Sequence, residues 1–399
     1  MRKKVLRREY LSLLGATALA GCASINLGGP QTTTGGDGNS SRDGRDWPMV
    51  GGGPAHQGVG ATFDAQTVTK SWSDPLPDSP YTSPILSNDA LFVCYGNGLQ
   101  SMDPADGDLL WKKQVSQNPG GTPAVADGML VTTWDSRTKS DASSATVRCF
   151  DSQSGDKQWN RSLDDRAVFA TTISDRTAYI RGASTLYAVD IQDGSIRWKV
   201  GDLPKFNQLY YDISKDITPA VANSTVYTPN PNGVTAIDTE TQKNQWTKRV
   251  TKVRSAPTVK DGQVFVAGAK SGVLALDAAT GHTQWSWPNG SWTSPAIANG
   301  TAYTTTGFDA VALDAKDGSR VWHTGGNGLQ GDIYSSPVVS GDSVILGSIT
   351  EDAACIDTSA NSGGRFNWRY DHHGTKYTPA VSANGVYQVD GGGNLVALS

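Results

Sequence analysis

The chain has little of what catalysis, metal binding and helix formation usually draw on. Of its 38 acidic residues only three are Glu, at positions 9, 240 and 351; the rest are Asp. Asp suits turns, where its side chain bonds nearby backbone, while Glu favours helices. No long helical pattern occurs beyond the first twenty-odd residues, so the chain reads as all-β. There are only five His and four Cys. No pair of Cys has the spacing of a metal site, and no CxxCH haem site is present. No GxSxG, HExxH or P-loop pattern occurs. His372-His373 could hold a metal, but adjacent residues rarely aim both rings at one ion, and no third His is near in sequence. Long apolar runs are missing as well. LSLLGATALA, near the start, is too short to span a bilayer of roughly 30 Å as a helix.

That short run belongs to an address. Arg2, Lys3, Lys4, Arg7 and Arg8 precede it, and Gly21-Cys22 follow. Basic head, apolar run and LAGC in that order read as a cleavable signal over residues 1–21. The pair Arg7-Arg8 resembles a twin-arginine export signal, and LAGC resembles a lipobox in which Cys22 is lipidated. An ordinary signal with a chance cysteine is the alternative. Residues 22–45 are rich in Gly, Ser, Thr and Asp and bury too little to order themselves, as in a flexible tether. Removing the signal takes away five basic residues and Glu9, leaving 29 basic against 37 acidic residues, a net charge of −8. Nucleic acid and an anionic lipid surface are therefore poor partners.

Residues 46–399 repeat with a period near forty. The clearest copy is SAPTVKDGQVFVAGAKSGVLALDAATGHTQW, Ser255 to Trp285. Each copy holds a Pro-led apolar segment, a turn, a second apolar segment, a Gly-containing turn, an alternating segment ending in Asp, and a short segment holding Trp. That is the content of one four-stranded propeller blade. Asp and Trp stand eight apart at Asp103–Trp111, Asp151–Trp159, Asp190–Trp198, Asp238–Trp246, Asp277–Trp285 and Asp314–Trp322; Asp357–Trp368 carries an insertion. The last copy stops at Ser399 before its Asp. Its missing piece is Asp64–Trp72, so Thr67–Ser73 is expected to supply the outer strand of the last blade. The predicted fold is an eight-bladed β-propeller of four-stranded antiparallel blades, closed by pairing an N-terminal strand with the last blade.

The pattern Ala-x-Asp-x-x-Thr-Gly-x-x-x-Trp, intact from Ala275 to Trp285, resembles the tryptophan-docking repeat of quinoprotein dehydrogenases. RDWPMVGGGPAHQG resembles the segment that leads into the ring of quinoprotein-like repeat lipoproteins, a group that includes the BamB type of outer-membrane assembly. With the twin-arginine lipoprotein signal, the resemblance is to exported proteins of haloarchaea. It spans Trp47 to Ser399 and implies a fold more than an activity. Trp72, Trp111, Trp159, Trp198, Trp246, Trp285, Trp322 and Trp368 are expected to lie across the Gly-containing turn of the next blade. Cys149 and Cys355 stand at the small-residue position of Ala188, Ala236, Ala275, Ala312 and Ala397. They read, with Cys94, as buried packing residues rather than reactive thiols.

Two functions compete. The resemblance implies a quinone-dependent (PQQ) dehydrogenase, whose active members are longer. They hold the quinone against a Trp, often under a disulfide of adjacent cysteines, beside calcium bound by Glu, Asn and Asp. This chain has no Cys-Cys pair and only Glu240 and Glu351 within the ring. The favoured reading is non-catalytic and without a cofactor: a binding or scaffold module, a monomer, with a protein partner at the membrane surface. The loops leading into the inner strands carry Phe206, Tyr210, Tyr211, Trp287, Trp292 and Tyr334. Three positions before the Pro of each inner strand (Thr172 in the third) stand Tyr81, Gly120, Phe169, Asp216, Arg254, Trp292, Tyr334 and Lys376. Equivalent positions in a propeller ring the axis, so these residues are expected to line one mouth. Aromatics with a few charges suit a ligand or peptide pocket. The competing expectation is that some of the aromatics merely plug the channel.

Overall fold

A computed structural model describes residues 46–135, 144–165, 168–206, 216–325, 329, 331–351, 353–359, 363–371 and 373–399. Arg7, Arg8, Cys22, Tyr210, Tyr211 and His372 lie outside the described residues.

The described chain forms eight antiparallel sheets: six of four consecutive strands, a second blade of five because its inner strand is split, and a last blade whose three consecutive strands take their fourth from the N-terminal side. The fifth blade is representative, with strands Thr258–Lys260, Gln263–Gly268, Gly272–Asp277 and Thr283–Trp287. Its first three strands are almost wholly buried, whereas the outer strand alternates exposed and covered residues. That is the expected gradient for a blade whose two faces are sandwiched by neighbours and whose outer edge meets solvent. The second blade has an interrupted inner edge: Asn118–Pro119 and Ala124–Ala126 both pair with Met129–Asp135.

Closure is as the spacing predicts. Lys70–Pro75 pairs antiparallel with Asn394–Leu398, Trp72 standing opposite Ala397. The strand lies slightly later than expected, although the Thr69 N–H still bonds the Ser399 carbonyl at 3.0 Å.

The small position and the tryptophan are cross-strand partners. Ala188, Ala236, Ala275 and Ala312 face Trp198, Trp246, Trp285 and Trp322. Cys149 faces Trp159 and Cys355 faces Trp368, with Ser101 opposite Trp111 in the first blade. A register shift adjoins each of these pairs, which turns the outer strand so that the indole leans onto the neighbouring blade. The indole N–H of Trp285 then bonds the Ala315 carbonyl at 2.8 Å, and those of Trp111, Trp159 and Trp246 bond Ser152, Ile191 and Ala278. Trp72 reaches Pro104, so the N-terminal strand docks the last blade on the first. Gly155, at φ 69°, lies under Trp111; a Cβ there would sit 2.6 Å from the ring. Trp368, expected over a Gly-containing turn, instead packs edge-on against Phe63, centroids 6.4 Å apart.

The lead-in segment runs around the inside of the ring. Trp47 bridges to Leu86 of the first blade. The carbonyls of Pro48, Pro54, Ala55, Gln57 and Gly58 then accept from Val125, Val221, Val259, Ile297 and Val339 of the second, fourth, fifth, sixth and seventh blades. His56 reaches the third through Thr172 Oγ1, at 2.9 Å. Each accepted N–H lies two residues after the inner-strand Pro or its equivalent, at the far end of the strand from the predicted mouth. The segment therefore lies along the inner edges at that end and satisfies backbone groups that no strand covers.

Candidate functional site

Antiparallel blades place the loops into the inner strands and the hairpins between second and third strands on one face. The ring of residues preceding the inner-strand Pro sits at that face. From three successive blades, Arg254, Trp292 and Tyr334 come together. The Arg254 guanidinium lies 4.4 Å from the Trp292 ring centre, and Trp292 meets Tyr334 edge-on at 5.5 Å. The Tyr334 hydroxyl donates to Asp332 Oδ2 at 3.3 Å. Burial and the Asp332 carboxylate raise its pKa. Trp292 is 38% exposed while Arg254 is largely covered, so the indole presents itself to solvent over a guanidinium base. Phe308 and Ile349, in hairpins of the sixth and seventh blades on the same face, are also exposed, Phe308 at 61%.

Asp216 extends from the fourth blade and accepts hydrogen bonds from three others. Thr122 Oγ1 donates to Oδ1 at 2.5 Å; Ser83 Oγ and Thr378 Oγ1 donate to Oδ2 at 2.8 and 3.3 Å. Burial raises its pKa, while the three hydroxyls act in the opposite direction. The carboxylate thus spans the axis instead of standing on the rim. Tyr81 is half-buried, Gly120 is buried and Lys376 is exposed, its Nζ 5.5 Å from the Tyr377 ring centre.

Two aromatic expectations fail. Phe169 is only 1% exposed and packs on Phe206, centroids 4.8 Å apart, with the Arg181 guanidinium against Phe206 at 5.2 Å. The third blade lacks the inner-strand Pro, so its first strand extends back to Val168, paired with Gly182, and draws Phe169 into the sheet. Trp287 is not a loop residue; it ends the outer strand of the fifth blade opposite Val273 and is buried. The cysteines behave as packing residues: Cys94, Cys149 and Cys355 are free and buried. Burial pushes the Cys94 and Cys149 thiols up to about 12.

Three arrangements were not foreseen from the sequence. Arg181 is fully buried and donates to the carbonyls of Gly182, Pro204 and Pro229. Glu351 is buried and paired with Arg369 at 2.9 Å. The hydroxyls around Asp216 left a readable trace, because Ser or Thr precedes the inner-strand Pro (Thr172 in the third blade) in every copy except the fifth, where Ala256 stands.

Eight antiparallel blades closed into a ring, indoles docked blade to blade and a lead-in segment along the inner edges define a propeller of the tryptophan-docking type. The family described as outer membrane protein assembly factor BamB matches residues 55–201 and 182–399, and the chain belongs to that family. It is 26% identical over 305 residues to BamB of Moranella endobia, covering 71% of this chain and 74% of that protein. It is 28% identical over 249 residues to a quinohemoprotein alcohol dehydrogenase of Pseudomonas putida, covering 53% of this chain but 33% of the enzyme. Among solved structures, BamB from Moraxella catarrhalis superposes with a TM-score of 0.68 at 17% identity, over 83% of this chain and 99% of that one. The quinohemoprotein alcohol dehydrogenase of Comamonas testosteroni gives 0.65 at 11% identity, over 89% and 80%. These superpositions speak for the fold alone.

Proposed function

We propose that this protein is a non-catalytic, extracytoplasmic binding or scaffold module that captures a protein partner at its channel mouth. It acts as a monomer, exported in the haloarchaeal twin-arginine manner through Arg7-Arg8 and held at the outer face of the cell membrane by lipidated Cys22. The observation that carries the reading is the stack of Arg254, Trp292 and Tyr334, contributed by three blades and open at Trp292. Large rigid aromatics beside a guanidinium are the groups that dominate protein contacts. Kinship with proteins named for outer-membrane assembly supports a partner-binding role.

A quinone-dependent oxidoreductase is the second reading, favoured by the likeness to the Pseudomonas putida enzyme. The residues present fit PQQ with calcium poorly. Among the described residues no trio of His, Cys, Asp or Glu is placed to share an ion. Asp216, an acidic group at this end of the ring, is committed to three hydroxyls. Equilibrium titration of the purified protein with PQQ and calcium is expected to show no saturable binding.

The partner-binding reading is tested with a photo-crosslinking residue at position 292 in native membranes, against one at Asn223 on the opposite face. Adducts are expected at 292 only. Trp292→Ala combined with Arg254→Ala should abolish capture, read from a crosslinker at the exposed Phe308 on the same face, while leaving thermal unfolding nearly unchanged. Adducts at 223 alone would place the working surface on the other face.

A further inference from the structure

The hydroxyls beneath the mouth form a directional chain. The Ser294 N–H donates to Ser336 Oγ at 3.1 Å, Ser336 to Thr378 Oγ1 at 3.2 Å, Thr378 to Ser83 Oγ at 3.0 Å, and Ser83 to Thr122 Oγ1 at 3.1 Å. The chain passes through the sixth, seventh, eighth, first and second blades, always from one residue before the inner-strand Pro to its counterpart in the next blade. An N–H directed at each hydroxyl oxygen occupies a lone pair and leaves the hydroxyl proton to be given elsewhere. At Thr378, Ser83 and Thr122 that proton goes toward the axis, and all three converge on the Asp216 carboxylate. A neutral ring has thereby become a cluster of inward donors. Hydrogen bonds to an ionised acceptor are about twice as strong as neutral ones, so what this cluster favours on the axis is a carboxylate.

We infer that the belt of Ser83, Thr122 and Thr378 is a carboxylate-recognition site at the base of the mouth, with Asp216 as its resident ligand. The inference rests on the mouth being the working face: a partner entering there meets Trp292 and Tyr334 first and this belt below them, and the group it would bring to the belt is an acidic side chain or a chain terminus. Asp216 belongs to the same chain and competes at high effective concentration, so a free carboxylate enters only when Asp216 is withdrawn. That makes the site measurable without any partner.

The experiment is thermal unfolding of Asp216→Ala with sodium formate, and with sodium chloride at matched ionic strength. Formate should raise the midpoint saturably, by about 2–4 °C well above its dissociation constant. Wild type and the Asp216→Ala, Thr122→Val double variant should show no formate-specific rise. An equal response to chloride, or none to formate, overturns the inference. So does a variant that stays unfolded with formate present throughout refolding. A second measurement leaves Asp216 in place: carboxyl carbon NMR of the full chain should show its pKa rise in Thr122→Val and return in Thr122→Ser. An unchanged titration in Thr122→Val overturns the inference too. Formate binding with failed crosslinking at position 292 would leave the belt standing and remove only the partner-binding reading.

Discussion

Deleting the indole of Trp285 removes a ring that is 7% exposed, packs on Phe265 with centroids 5.9 Å apart and bonds Ala315 of the next blade. Trp285→Ala should therefore cost on the order of 3–5 kcal/mol by denaturant unfolding, the range for a buried aromatic. Trp198 is only partly buried, although it leans on Tyr179 at 5.8 Å. Trp198→Ala should fall below the Trp285 value, and equal losses would mean that docking and burial are unrelated. The turn beneath each indole has its own chemistry. Hydrogen bonds from the Thr280 side chain and backbone hold the Asp277 carboxyl below its usual range, and turn amides do the same for Asp151. A lowered folded-state pKa gives stability that is present above the unfolded value of about 3.9 and lost as pH falls through the folded one. Urea unfolding between pH 5 and pH 2 should show this loss, and Asp277→Asn should make it shallower. A slope unchanged in that variant would mean that the carboxylate charge contributes nothing to the turn.

Blade boundaries were legible because Asp and Trp answer to local demands that recur in each copy: a turn to bond and a neighbour to cover. Exceptions to the repeat were harder to interpret. Thr172 was visible as the one inner strand without Pro, yet its consequence depends on distant residues. Its hydroxyl bonds His56 and Thr218, and its strand continues back to bury Phe169. Restoring the repeat by Thr172→Pro should thus destabilise the protein, by roughly 3 kcal/mol or more if ladder pairing is lost. Substitutions toward a consensus more often stabilise. A raised unfolding midpoint would show that the extended strand is dispensable. The mouth was half legible for a similar reason. Counting back from Pro found Arg254, Trp292 and Tyr334, whose partners are their counterparts in adjacent blades. It could not show that Asp216 reaches across the axis, or that Pro48 to Gly58 visit most of the ring in order, since neither arrangement repeats.

The whole ring depends on two segments that precede the first complete blade. Residues 46–60 occupy the inner edges of most blades at the far end, and Lys70–Pro75 supplies the outer strand of the last one. Removing 46–75 should leave unpaired edges in several blades and give aggregation or loss of cooperative unfolding. A chain beginning at Tyr81 that stays monomeric with an unchanged unfolding midpoint would contradict the closure. That closure also sets a clock on biosynthesis. Thr69 and Ser399 are neighbours in the sheet but 330 residues apart in the chain. At about 5–20 residues per second, the first strand waits on the order of 15–65 s for its partner. Throughout that interval its edge has no native mate, and the circle can shut only after Asn394–Leu398 has been synthesised. Ring closure is therefore held back until both partners of that last pairing exist, whatever the order in which the intervening blades form.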